Sequence, residues 1–92
     1  MMTEESRAIY EAKLRQHQAA EPMLQFFAFN HLPVHLQEVS IIYFAAAMAT
    51  MDEVPRNPER TVALRKLLEA KDAAVRARVY RMPAPEGEPV SA

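Results

Sequence analysis

The sequence predicts an all-α protein, and three observations lead to that prediction. Residues 39–51 carry no charge, glycine or proline and are rich in good helix formers. The chain has a single glycine and lacks the alternation of β-branched and polar residues that a half-buried strand needs. Its seven prolines lie at the ends of segments, where proline punctuates helices. We therefore expect one helical hairpin domain over residues 1–80 and a disordered, proline-rich tail over residues 81–92.

The central helix is predicted to run from about Leu32 to Met51, with Pro33 in its first turn. Its apolar residues lie on several faces, so we expect it to be buried on several sides. The uncharged run is shorter than the ~20 residues that cross a bilayer, and Glu38 and Asp52 bracket it, which indicates a core helix and no membrane contact. A domain of this size cannot cover such a helix alone, so we expect an oligomeric helical bundle.

The flanking elements follow from capping residues and breakers. A first, short helix is predicted from Thr3 to about Ala20. Residues 23–29 are expected to form either a short helical turn or an irregular packed segment. Asn57 is a good N-cap for a last helix over residues 58–80. The short connection between the two long helices predicts that they form an antiparallel hairpin.

Composition and charge exclude several classes of protein. Eight basic and three acidic residues give residues 56–81 a local charge of +5, whereas the whole chain carries −1. The last helix is thus a possible anion surface, but the chain lacks the basic excess of a protein that binds DNA or RNA duplexes. The absence of cysteine excludes disulfides, thiolate zinc sites and a cysteine nucleophile. The acidic, polar start is no signal peptide, which favours a cytoplasmic protein.

Two groups of aromatic residues have alternative interpretations. The first helix is expected to turn Ile9, Ala12, Ala19 and Leu14 inward, and Tyr10 lies off the line of Ile9 and Ala12. Tyr10 is either an aromatic at the edge of the core or a stacking platform for a base. The three phenylalanines within residues 26–29 form either core or protomer interface, or an aromatic wall for a planar ligand.

One helix face carries a possible metal-binding pattern. His31, His35 and Glu38 are spaced at i, i+4 and i+7, which could supply metal ligands. The sequence lacks the glutamate of a His-Glu-x-x-His motif, so a polar strip is the alternative. The chain also has no glycine-rich phosphate loop and no nucleophile elbow. We therefore expect no cofactor and no enzymatic activity. A metal-dependent hydrolase that uses His31, His35 and Glu38 is kept as the third of three hypotheses, and the other two are given below.

The start of the last helix is the better candidate for a ligand site. Arg60 and Thr61 lie in its first turn, beside backbone N–H groups that have no helical partner, and Arg65 and Lys66 follow one turn later. A helix N-terminus with arginine side chains suits phosphate. The alternative is that Arg65 pairs with Glu69 while the other cations are solvated.

Residues 58–75 resemble the second helix of the phage hairpin domain shared by anti-CBASS and anti-Thoeris sponge proteins. The positions that match are Arg60, Ala63-Leu64, Lys66-Leu67 and Glu69-Ala70. Two positions depart from the pattern, because Arg65 replaces the usual threonine and Leu68 replaces a glutamate. The preceding helix resembles the first arm of that hairpin, and the resemblance covers about residues 27–79.

This resemblance implies a phage protein in the host cytoplasm that assembles as a homo-oligomer, often a hexamer. Such proteins bind cyclic di- or trinucleotides, or cyclic ADP-ribose signals, without cleaving them, which blocks activation of the defence effector. By similarity, Tyr10 stacks on a base, Arg60 and Lys66 contact phosphates, and the role of Arg65 stays open. The pocket is expected between protomers, near His31 of one and Arg60 of another. The expected ligand-binding residues are Tyr10, His31, Arg60, Thr61, Arg65 and Lys66.

A second hypothesis needs no nucleotide. The apolar central helix could instead dock another protein, which would make the chain a helical protein–protein interaction or adaptor module.

Overall fold

The computed structural model describes residues 3–82, and all of its regular structure is helical. Its elements are α1 (Glu4–Gln18), a 3₁₀ helix (Pro22–Phe27), α2 (Val34–Glu53) and α3 (Pro58–Val79). No strand occurs within residues 3–82, so the all-α prediction is confirmed over them. The tail predicted for residues 81–92 lies, from residue 83 onward, outside the described part of the chain.

Two of the helix starts follow directly from capping residues. The Thr3 hydroxyl oxygen accepts a hydrogen bond from the Ser6 N–H at 3.0 Å and caps α1. The Asn57 side-chain oxygen accepts one from the Arg60 N–H at 2.9 Å and caps α3. Each bond satisfies an N–H group that has no partner within the first turn of its helix. Helix α2 instead begins directly after Pro33, without a side-chain cap.

Two contacts define the relative direction of α2 and α3. The guanidinium of Arg78, near the end of α3, lies 3.2 Å from the carboxylate of Glu38, near the start of α2. At the other end, Arg60 Nη1 donates to the Val54 carbonyl oxygen at 3.1 Å. The two helices therefore lie side by side and run in opposite directions.

The core is centred on three aromatic rings. The ring centroid of Tyr10 lies 4.6 Å from those of both Phe29 and Phe44, and the latter two are 5.3 Å apart in an edge-to-face arrangement. Tilted and edge-to-face packing is the favourable geometry for aromatic pairs. These residues come from α1, from the segment after the 3₁₀ helix and from α2. The buried apolar residues are Tyr10, Leu24, Phe27, Phe29, Phe44, Ala47, Met48, Met51 and Leu64.

The inward face of α1 differs from the prediction. Ile9 is 63% exposed and Ala12 is also exposed, whereas Tyr10 is buried and Leu14 is half-buried. Tyr10 and Leu14 lie one turn apart, so they share the face that packs on the core. The aromatic side chain removes more apolar area from water than isoleucine does in this position, and it decides the rotation of the helix.

Lys71 joins α3 to the 3₁₀ helix. Lys71 is only 8% exposed, and its Nζ donates a short hydrogen bond to the carbonyl oxygen of Phe26. Burial lowers the pKa of this amine, because removal from water disfavours the charged form, while nearby Asp72 opposes the shift. The contact supplies a partner for a carbonyl in the last turn of the 3₁₀ helix.

Helix α2 is covered on one side only. Ser40, Phe44, Ala47, Met48 and Met51 are buried, but three large apolar side chains on the other side are not. Their exposed fractions are 53% for Val34, 44% for Ile41 and 63% for Ile42. The burial on several sides that the sequence predicts is thus not reached within one chain. By length and composition α2 could also cross a membrane, a property that it shares with core helices of soluble proteins.

Candidate functional site

An open groove of about 650 Å³ lies between α1 and α2. Its volume falls within the range of small-molecule pockets. The side chains that line it are mainly apolar, with aromatic rings from Tyr10, Phe29 and Phe44. The polar side chains along it are Ser6, Lys13, Gln37 and Glu38.

Tyr10 contributes to this groove from within the core. The residue is 5% exposed, and its hydroxyl group accepts a hydrogen bond from the Phe29 N–H at 3.1 Å and donates to Asn30 Oδ1 at 3.4 Å. Within the single chain Tyr10 is thus a core aromatic, the first of its two interpretations, and its stacking on a base stays a prediction. Its ring is held by two neighbouring phenylalanines, and its hydroxyl already has two partners.

His31 lies in the turn that precedes α2. The Gln37 side-chain amide fixes this turn by donating to the Leu32 carbonyl oxygen at 2.7 Å and to the Asn30 carbonyl oxygen at 3.4 Å. His31 itself is exposed. Within residues 3–82, no three His, Cys, Asp or Glu side chains lie close enough together to hold a metal ion. Of the residues in the candidate metal pattern, Glu38 instead pairs with Arg78.

Arg60 is a buried structural residue in this fold. It is 6% exposed, and its Nη2 donates to Glu21 Oε1 at 3.4 Å, with Nε at the same distance but outside hydrogen-bond geometry. Thr61 Oγ1 donates to the same carboxylate oxygen at 3.3 Å. Within the single chain the guanidinium of Arg60 thus already contacts the Glu21 carboxylate, and the expected phosphate contact from Arg60 stays a prediction. An acidic residue 39 positions earlier in the chain is a partner that local spacing could not reveal.

Arg65 and Lys66 occupy a different environment from Arg60. Both are exposed on α3. The ion pairs within residues 3–82 involve neither of them, so the alternative pair between Arg65 and Glu69 is not formed. Of the predicted site residues, these two are the exposed cations.

One chain does not bring the predicted site residues together. His31 precedes α2, and Arg60 lies beyond its far end, in the first turn of α3. The 20 residues of α2 extend over about 30 Å. A site that uses His31 and the start of α3 therefore needs two protomers.

A charged cluster that the sequence analysis did not find joins α1 to the end of α2. Lys13 Nζ lies 2.8 Å from Asp52 Oδ2, and His17 Nε2 lies 2.9 Å from Asp52 Oδ1. The hydrogen bond from Lys13, assisted by that from His17, holds the pKa of Asp52 below its ordinary value of 3.8. The cluster closes one end of the groove, where Lys13 is also a lining residue. The spacing of lysine and histidine at i and i+4 was the available signal for a shared partner.

These features describe a helical chain with an aromatic-lined groove, an exposed apolar side on α2 and the adjacent exposed cations Arg65 and Lys66 on α3. No protein-family model, no curated protein and no solved structure matches the chain.

Proposed function

We propose that the protein is a phage anti-defence protein that binds cyclic di- or trinucleotides as a homo-oligomer and sequesters them without cleavage. Sequestration in the host cytoplasm deprives the CBASS effector of its activator. The proposal joins the resemblance of residues 27–79 to the sponge proteins with the chemistry of the exposed part of α3. By that resemblance the assembly is a hexamer.

The observation that carries the proposal is the exposure of Arg65 and Lys66. Two adjacent cations, without an ion pair in the described part of the chain, suit a ligand that carries two or three phosphates. Arg60 has a supporting role in this version of the site, because its ion pair with Glu21 holds the first turn of α3 in place. The groove beside Tyr10 supplies an apolar, aromatic surface that suits a purine.

The proposal is tested by ligand retention. The purified protein is incubated with a panel of cyclic di- and trinucleotides, freed of unbound ligand and heated, and the released material is identified by chromatography. We expect intact cyclic ligand. Retention of no panel member would refute the proposal, and release of linear product would indicate an enzyme instead.

A charge-reversal variant tests the role of α3. Lys66→Glu is expected to weaken ligand binding by roughly ten- to a hundredfold, since a charge-assisted hydrogen bond is worth about 1.5–3 kcal/mol. Arg7→Glu, an exposed substitution on α1, is the matched control and should bind as the unchanged protein does. Equal affinity of the Lys66→Glu variant and the control would remove α3 from the site.

A second candidate function is that of a helical protein–protein interaction module. The exposed apolar side chains of α2 and the groove beside them favour it, because such surfaces accept an amphipathic helix. A monomer that retains no nucleotide but binds a helical partner at α2 would support this candidate over the first.

A further inference from the structure

The groove between α1 and α2 is elongated. Its α2 wall extends from Val34 to Met48, a distance of about 21 Å along the helix axis. A single planar ring system covers only part of this length. The groove therefore favours a ligand shaped like a chain over a compact one.

The two helices run in the same sense along the groove. Tyr10 packs on Phe44, in the middle of α2. Lys13, further along α1, reaches Asp52 near the end of α2. The first turns of both helices therefore lie toward the same end, which we call the N-terminal end of the groove. The polar residues that line this end are Ser6, Gln37 and Glu38.

The apolar surface that a ligand meets in the groove is mainly aliphatic. The rings of Tyr10, Phe29 and Phe44 pack on one another and are buried, so they lie beneath this surface. Aliphatic side chains make close contacts with methylene groups but cannot stack on a base. The exposed apolar residues of the lining are Ile9, Val34, Ile41 and Ala45.

The N-terminal end of the groove offers an uncharged hydrogen-bond acceptor and an uncharged donor. Gln37 Nε2 donates to the carbonyl oxygens of Leu32 and Asn30, which fixes the amide and leaves Oε1 as an acceptor. The Ser6 hydroxyl oxygen accepts a hydrogen bond from the Thr3 hydroxyl at 2.9 Å, which leaves the Ser6 O–H as a donor. Together these groups match a head group that carries hydroxyl and ester oxygens.

The charged groups beside the groove are paired within the chain. Glu38 pairs with Arg78, and Lys13 pairs with Asp52. An anionic head group at the N-terminal end would lie beside the Glu38 carboxylate and be repelled by it. At the other end it would have to displace Asp52 from Lys13. The groove thus favours a ligand without charge.

From these observations we infer that the groove binds a neutral single-chain amphiphile of the monoacylglycerol class. Its head group lies at Ser6 and Gln37, and its acyl chain extends along α2 toward Met48. The inference goes beyond the proposed function, because it needs neither the cations of α3 nor a second copy of the chain. A purine that packs beside Tyr10 would share the middle of the groove, so the two kinds of ligand exclude each other there.

A series of monoacylglycerols of increasing chain length tests this assignment. Octanoyl, decanoyl, dodecanoyl and tetradecanoyl glycerol are titrated into the protein below their critical micelle concentrations, and binding is measured by calorimetry. The affinity should rise about fourfold for each added methylene group, since burial of one is worth about 0.8 kcal/mol. The rise should end once the chain fills the groove. Lack of saturable binding for every member would refute the inference.

The head group is tested with a matched acid. Dodecanoate has the acyl chain of dodecanoyl glycerol but carries a carboxylate, which the Glu38 carboxylate repels. We expect it to bind more weakly than dodecanoyl glycerol by roughly tenfold or more, because no free cation compensates the loss of water around its charge. A carboxylate that binds as tightly as the ester would overturn the assignment of a neutral ligand.

A variant that fills the groove tests the location. Ala45→Trp places a large side chain in the groove without entering the core, because Ala45 is exposed. It should weaken the binding of dodecanoyl glycerol by roughly tenfold or more, since it displaces several methylene groups, while the helical circular dichroism is kept. Ala73→Trp, at an exposed position of α3 outside the groove lining, is the matched control and should bind as the unchanged protein does.

The outcomes separate this inference from the proposed function. Equal affinity of Ala45→Trp and Ala73→Trp for dodecanoyl glycerol would place the ligand elsewhere and overturn the inference. Retention of cyclic nucleotides is measured without amphiphile and bears only on the proposed function. Binding of the acyl series by a protein that retains no nucleotide would support the groove assignment and refute the proposed function.

Discussion

Arg60 illustrates how one residue can change role between sequence and fold. Its position in the first turn of a basic helix suggested an anion contact, yet the side chain is buried against Glu21 and the Val54 carbonyl oxygen. A buried charge of this kind is tolerated only with such partners, since the desolvation cost is otherwise not offset. Arg60 therefore joins the end of α2 and the start of the 3₁₀ helix to α3.

Removal of this side chain should unfold the protein more easily. For Arg60→Ala we expect a loss of about 3–5 kcal/mol in the free energy of unfolding, because Glu21 is left buried without its charged partner and keeps only the Thr61 hydroxyl. Urea denaturation followed by circular dichroism measures the loss. Arg65→Ala, an exposed position on the same helix, is the control and should change the free energy by less than about 0.5 kcal/mol. A loss for Arg60→Ala as small as that of the control would show that the ion pair does not stabilise the fold.

At the residue scale, local chemistry was predictable and long-range partners were not. Thr3 and Asn57 cap their helices as their sequence context indicates, since a cap depends only on the next three residues. The Phe29 N–H that binds the Tyr10 hydroxyl lies 19 positions away, and the Glu21 carboxylate that pairs with Arg60 lies 39 positions away, so no local pattern predicts them. The sequence analysis missed these contacts of Tyr10 and Arg60 for that reason.

At the scale of elements, α1 is held to α2 by a polar clasp beside the aromatic core. The carboxylate of Asp52, near the end of α2, contacts Lys13 and His17 of α1. The Tyr10 ring packs on Phe44, two turns earlier in α2. The groove lies between these helices, so the docking of α1 determines its shape. The starts of α1 and α3 followed from their capping residues, whereas α2 begins and ends two residues later than predicted and the rotation of α1 depended on packing.

This clasp predicts a pH dependence of α1 docking. The hydrogen bond from Lys13 lowers the pKa of Asp52 in the folded state, so its contribution is complete above the unfolded pKa, near 3.8, and is lost as the pH falls below it through the lower folded pKa. Thermal unfolding at a series of acidic pH values should show this loss. In Asp52→Asn the loss over that range should be smaller, while Asp72→Asn on α3 serves as the control. An unchanged pH profile for Asp52→Asn would contradict the assigned clasp.

At the scale of the whole molecule, one chain leaves its most apolar helix half covered. The expectation of self-association came from the uncharged run in residues 39–51, and Ile41 and Ile42 remain exposed in the folded chain. The fold class was predictable because helix propensity and breakers act locally. The geometry of the proposed site was not, because His31 and Arg60 lie at opposite ends of α2 and one chain does not bring them together.

If α2 is buried between copies, as the proposed assembly requires, the stability of the protein should depend on its concentration. A contact that forms between folded chains but not between unfolded ones stabilises the folded state by mass action. The melting temperature therefore rises with the protein concentration. Differential scanning calorimetry over a hundredfold range of concentration measures this rise. In Ile42→Glu the melting temperature should be independent of concentration. A melting temperature that does not change with concentration in either protein would contradict the proposed association.

Lys71 has a consequence for chemical labelling. Its amine is held on the Phe26 carbonyl oxygen under the 3₁₀ helix, whereas Lys66, on the same helix, stands in solvent. An acylating reagent modifies Lys66 directly but reaches Lys71 only when α3 separates from the 3₁₀ helix. The ratio of the two labelling rates therefore reports the free energy of that local opening, and the helix carries its own internal reference.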